Sequence, residues 1–128
     1  MKILALDFGS ARTGVAVSDP TGTLARPVGV VQRAADAGLD ELVSLIHEEA
    51  PERVVVGLPL TLRGEVGEQA RATEHFVAVL RSRVQVPVET FDERFTTTLA
   101  ARSPVAAAPE DARAAAHLLE SYLARSGR

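Results

Sequence analysis

Apolar positions along the chain change period several times, and each change marks an element. From Ile3 to Leu6 a short apolar run ends in the carboxylate of Asp7, with Gly9 two places on. This reads as a buried strand with an acid at its mouth. Gly9 permits a sharp turn, so Arg12 to Ser18 reads as a second strand folded back beside the first. Asp19-Pro20-Thr21-Gly22 is a turn signal, and Pro27 to Gln32 has the β-branched content of a third strand. The period then lengthens: Leu39, Leu42, Val43, Leu45 and Ile46 share one helical face, while Asp40, Glu41, Ser44, His47, Glu48 and Glu49 lie largely on the other. Pro51 ends that helix. His47, set among solvated acids, reads as a surface residue.

Arg53 to Pro59 is nearly continuous in apolar residues, the pattern of a central strand covered on both faces and parallel to an earlier one. A loop from Leu60 to Gly67 follows, then a helix predicted from Glu68 to Arg83 with Ala72, Phe76, Val79 and Leu80 inward. Val86 to Phe91 is a fifth strand, its Pro87 best placed at an edge or at the start. The strand runs into Asp92-Glu93-Arg94. From Phe95 the chain is helical and alanine-rich, broken at Ser103-Pro104 and resuming after Pro109. Pro109-Glu110-Asp111 suits a first helical turn. Ala114, Ala115, Leu118, Leu119, Tyr122 and Leu123 form the buried stripe, with His117 as a partly buried packing residue beside it.

The length of 128 residues suits one hydrophobic core, so residues 1–128 are expected to form a single domain. Its order, β-β-β-α-β-α-β and a last helix, implies a mixed sheet whose first, fourth and fifth strands end on one rim. No cysteine is present, which excludes disulfides, thiolate nucleophiles and cysteine-held metals. Any metal would be held by carboxylates, histidines or water, and oxygen ligands imply a hard cation such as magnesium or manganese. No apolar run reaches membrane-spanning length and no targeting segment opens the chain, so a soluble, cytoplasmic protein with no membrane partner is expected. The net charge of −3 opposes a large electrostatic footprint on nucleic acid. Against that, every cationic side chain but Lys2 is an arginine, suited to bidentate phosphate contact.

Three acids far apart in sequence would meet at the rim: Asp7, one of Asp92 and Glu93, and Asp111. Close carboxylates repel, and such a cluster is stable at neutral pH mainly when divalent cations sit among them. Two such ions about 4 Å apart can drive in-line hydrolysis of a phosphodiester. Each acid also has a plainer role: Asp92 accepting backbone donors at a turn, Glu93 pairing with Arg94, Asp111 starting a helix.

The blocks Asp7-Phe8-Gly9 with Arg12 to Asp19, Val56-Gly57-Leu58-Pro59-Leu60 with Gly64 to Gly67, Asp92-Glu93-Arg94-Phe95-Thr96-Thr97, and Asp111 to Leu123 together resemble the bacterial YqgF/RuvX family. The likeness spans nearly the whole chain. It implies an RNase H-like α/β fold, a five-stranded mixed sheet in the order 3-2-1-4-5 with helices on both faces. It also implies a divalent-metal nuclease using Mg2+ or Mn2+ on structured nucleic acid. The substrates implied are the 5′ end of pre-16S rRNA or, alternatively, the Holliday junction as branched DNA. Carried over by position, the catalytic and metal-binding residues are Asp7, Glu93 and Asp111, with Asp92 as rival to Glu93. Arg12, Arg63 and Arg94 are substrate-binding expectations, Arg94 either orienting Glu93 or gripping the scissile strand, and Thr96 and Thr97 are expected to cap a helix. One departure stands out: Ala100 to Pro109 is short and carries only Arg102, where the family has a longer basic segment. This implies a weaker substrate grip, and with it a narrower substrate range, reliance on a second subunit, or a deletion that shifts Asp111. Monomer and homodimer are both open. Two other classes compete: an ATP-binding module of the actin and sugar-kinase type, which the length opposes, and a non-catalytic nucleic-acid-binding scaffold, which the acidic net charge favours.

Overall fold

The computed structural model describes residues 1–95 and 110–126. Strands β1 (Ile3–Asp7), β2 (Arg12–Ser18) and β3 (Ala25–Gln32) form the antiparallel meander, followed by α1 (Leu39–Glu49), β4 (Arg53–Leu58), α2 (Glu68–Arg81), β5 (Val88–Asp92) and α3 (Glu110–Ser126). The sheet order is β3-β2-β1-β4-β5. β4 lies parallel to β1 and to β5, as the helical crossovers require. This is the 3-2-1-4-5 arrangement expected above.

Strand alternation divides the core into two layers. Leu4, Leu6, Val15, Val17, Val54 and Val56 point to one face and pack with Leu42, Val43, Ile46, Phe76, Val77 and Leu80 of α1 and α2. Ile3, Ala5, Ala16 and Val55 point to the other, under Ala115, Ala116, Leu119 and Tyr122 of α3. The α3 face of the sheet is thus built from smaller side chains, and the alanines of α3 let the helix settle close to the strands. Tyr122 anchors its far end, accepting from Arg53 Nη1 at 2.8 Å and donating to Glu89 Oε2 at 3.1 Å.

Two sequence expectations need correction. In α2, Ala72 is exposed and Val79 only half-buried; the inward face is Ala70, Thr73, Phe76, Val77 and Leu80. Phe76 stacks on Phe8 with ring centroids 4.3 Å apart, which sets the helix rotation, and buried Thr73 donates its hydroxyl to Gln69 O at 2.9 Å. The fifth strand starts two residues later than expected, at Val88, because Pro87 has no N–H for the ladder and offers only its carbonyl, to Val54 N at 2.9 Å. The expectations on Thr96 and Thr97, on Ser103-Pro104 and on Ala100 to Pro109 lie outside the described residues. Among those described, no helix is long and apolar enough to cross a membrane.

Candidate active site

Asp7 ends β1 near the middle of the sheet and, sharing the alternation of Ile3 and Ala5, faces α3. Its cross-strand partner on β2 is Gly14. On β4, Leu6 pairs with Val56, so the next position, Gly57, lies on the other side of Asp7. Glycine inside a strand marks close approach of another group, and both glycines meet one. A Cβ on Gly14 would stand 1.8 Å from the backbone oxygen of Asp111; a Cβ on Gly57 would stand 2.5 Å from Glu93 Oε2. The first turn of α3 therefore rests over Gly14 and the Glu93 carboxylate over Gly57. Asp7 lies between them.

Burial, and after it the crowding of these acids, favours their protonated forms. Burial first, and then the charge of Asp111, raises Asp7 from 3.8 to about 6. Burial, then Asp7, then Asp92 raise Glu93 from 4.5 to about 7. Among the described residues neither acid has an ion-pair partner.

Asp92 is different. It accepts from Arg94 Nη2 at 2.6 Å, from Arg94 Nε at 3.0 Å and from the Arg94 backbone N–H at 2.9 Å, and the guanidinium holds it below the usual carboxylate range. Arg94 thus serves Asp92, not Glu93, and its Nη1 donates onward to Leu62 O at 3.3 Å. The expectations that Arg94 pairs with or orients Glu93 are corrected: β5 ends at Asp92, and the turn at Glu93–Phe95 sends consecutive side chains to different sides. Arg12, at the start of β2, pairs its Nε with Asp111 Oδ2 at 2.8 Å. Arg63 is exposed in the β4–α2 loop. Asp111 and Glu93 flank Asp7 from opposite sides, and among the described residues no three acids or histidines form a ready-made ion cage.

The raised acids have a measurable consequence. A carboxyl that holds its proton more tightly in the folded chain favours folding while protonated, and that contribution is lost as pH rises through the folded value. For Asp7 and Glu93 the window runs from about 4 to about 7. Ion-free protein is expected to lose about 1–3 kcal/mol of stability to urea across it, the full value being reduced because the rim is partly solvated. Urea midpoints of wild type and Glu93→Gln at both ends of the window check this; equal pH dependence in the two proteins contradicts it.

The profile of the RuvX family, described as a Holliday junction resolvase, matches residues 1–125. The chain belongs to the RuvX family. A RuvX relative from Clostridium novyi, named "Putative pre-16S rRNA nuclease", is 36% identical over 132 residues, covering 96% of this chain and 98% of its own. A Listeria monocytogenes relative of the same name is 37% identical over 134 residues, covering 96% and 97%. One from Chloroflexus aurantiacus is 44% identical over 99 residues, and there the match spans 77% of this chain and 65% of the relative. Among solved structures, Thermus thermophilus RuvC in complex with a Holliday junction substrate superposes with a TM-score of 0.65 at 20% identity over 99% of this chain and 97% of that one. That likeness establishes an RNase H-like fold for this RuvX chain. Gly14 and Gly57 are the site residues to which sequence reading gave no role, and their signal was present: each lies within an apolar strand that has no turn at that point.

Proposed function

We propose that this RuvX chain is a divalent-metal-dependent nuclease that hydrolyses phosphodiester bonds in structured nucleic acid, processing the 5′ end of pre-16S rRNA. The observation that carries the reading is the Asp7–Glu93 pair: two half-buried carboxylates, each raised by burial and by neighbouring acids, with no protein cation between them among the described residues. Such a pair fits a hard divalent ion, Mg2+ or Mn2+, because its donors are all carboxylate oxygens. Asp7 and Glu93 would hold the ion, with Asp111 as the third acid. When bound, it supplies Lewis-acid polarisation of the scissile phosphate and an acidified water.

The chain's own groups do the rest. Arg12 is well exposed at 59% and, among the described residues, its ion pair to Asp111 is made through Nε, which leaves its outer nitrogens for a phosphate at the same rim. Arg63 serves a flanking phosphate, and Arg94 secures the loop that carries Arg63 rather than touching the reacting group. α3 closes one side of Asp7 and limits water there.

The rRNA substrate is supported by the names of relatives 36–37% identical over nearly their whole length. Action on such a precursor belongs in the cytoplasm. Branched DNA is the second reading, favoured by the description of the family profile as a Holliday junction resolvase. Wild-type protein is to be offered a ribosomal precursor with its 5′ extension and a four-way DNA junction, at matched salt because affinity depends steeply on it. Faster precursor cleavage is expected. Symmetric nicking of the junction alone transfers the reading to a resolvase and requires a dimer; cleavage of neither in Mg2+ or Mn2+ leaves a binding scaffold.

A further inference from the structure

At the mouth of β4 the loop from Pro59 to Gly67 is cross-linked by hydrogen bonds of its own. Gly64 N donates to Thr61 O at 2.8 Å, Thr61 N to Glu65 O at 3.0 Å, and Glu65 N to Thr61 Oγ1 at 3.0 Å. Arg94 adds a tie from outside: besides its bond to Leu62 O, its guanidinium nitrogens stand 3.2 and 3.3 Å from where a Gly64 Cβ would be, and Gly64 has a φ of +84° that glycine alone adopts freely. The backbone of Leu62 is therefore tied through the Arg94 side chain to the turn that follows β5, and Arg94 is next in sequence to Glu93. Its side chain is the opposite case, 93% exposed at the tip, with Val66 in the same loop at 41%. Arg63 is next to it and also exposed.

Single exposed leucines are ordinary on protein surfaces. What distinguishes Leu62 is a hydrogen-bonded mount, a neighbouring arginine and a tie to Arg94, the residue that follows Glu93. We infer that Leu62 is an apolar wedge that inserts against nucleic-acid bases next to the bond to be cut while Arg63 takes the adjacent phosphate, an inference that rests on the nuclease reading above. Apolar side chains of this kind open a base step and so select places where stacking can be broken, such as the border between a helix and a single strand. The mount matters because a loop free to retreat would not transmit force to the stack. Asp92 accordingly acts through Arg94 as a positioning residue for the loop, which accounts for the strong pairing of an acid so close to Glu93.

The test uses full-length protein, an RNA hairpin with a 5′ single-stranded extension, and the extension strand alone. 2-Aminopurine is placed at the positions flanking the helix border, where its emission rises on unstacking. Wild type, Leu62→Ser and Leu62→Phe are compared for emission on binding and for the ratio of cleavage rates on hairpin and single strand. Wild type and Leu62→Phe should raise the emission, whereas Leu62→Ser should not. Leu62→Ser should also lower the hairpin-to-single-strand rate ratio by about tenfold, the equivalent of part of the unstacking energy of one step. If wild type cuts RNA, Asp7→Asn does not, and Leu62→Ser matches wild type in both emission and ratio, this inference alone is overturned. If wild type cuts neither RNA, the nuclease reading and this inference fall together.

Discussion

Asp7→Asn is expected to lower cleavage by about a thousandfold while making the ion-free protein more stable at pH 8. The loss follows from the place of Asp7 between Glu93 and Asp111, where under the proposed function it would be the acid common to any bound ion. Charge stabilisation by a bound cation amounts to several kcal/mol, and about 4 kcal/mol corresponds to a factor of a thousand. The gain follows from the same crowding. At neutral pH the native chain must ionise a carboxyl that burial and the Asp111 charge hold at about 6, and the neutral amide keeps the shape without that requirement. About 1–2 kcal/mol of added resistance to urea is expected after allowance for solvent at the rim. An Asp7 that merely capped a turn would give the reverse: lower stability and unchanged cleavage.

The two glycines beside Asp7 should respond differently to the same small change. In Gly14→Ala the new methyl would lie 1.8 Å from a backbone oxygen of α3. No side-chain rotation relieves that contact, so the helix start must lift from the sheet. A destabilisation of about 2–3 kcal/mol is expected, read as a fall in melting temperature, together with loss of cleavage as Asp111 leaves Asp7. In Gly57→Ala the methyl meets the end of the Glu93 side chain at 2.5 Å, which can swing aside. Stability should change by less than about 1 kcal/mol, yet if Glu93 has the role proposed for it cleavage should fall about a hundredfold, the effect of displacing a catalytic group by about 1 Å. Melting curves and single-turnover rates on the two variants separate these cases. Equal thermal loss in both, or full activity in Gly57→Ala, would remove Glu93 from its assigned place.

Much of this architecture is legible along the chain because its elements have distinct periods. The β-branched runs at Val15–Val17 and Val54–Val56 and the stripe through Leu118, Leu119 and Tyr122 specify strands and a helix by local rules. Strand order is not a local property, and here it came with the family likeness. The candidate acids were legible as well, since a carboxylate at the mouth of an apolar strand calls for a partner. What local reading could not supply was partnership. Whether Arg94 turns to Asp92 or to Glu93 depends on where β5 stops and which way the following turn sends each side chain. Arg12 reaches Asp111 only because α3 crosses above Gly14, and Gly57 matters only because the β1–β4 register sets it beside Asp7. The expected rotation of α2 failed for a related reason: the stack of Phe76 on Phe8, a residue 68 positions earlier just past β1, decides which face turns inward.

The proposed function stands on Asp7 and Glu93 together holding a divalent ion at the mouth of the sheet. Crystals soaked in Mn2+ and measured at the manganese absorption edge test it most directly. An anomalous peak is expected within bonding distance of carboxylate oxygens from both Asp7 and Glu93, absent in Asp7→Asn crystals. A manganese ion bound elsewhere with none at Asp7, under conditions in which the protein cleaves its substrate, would contradict it.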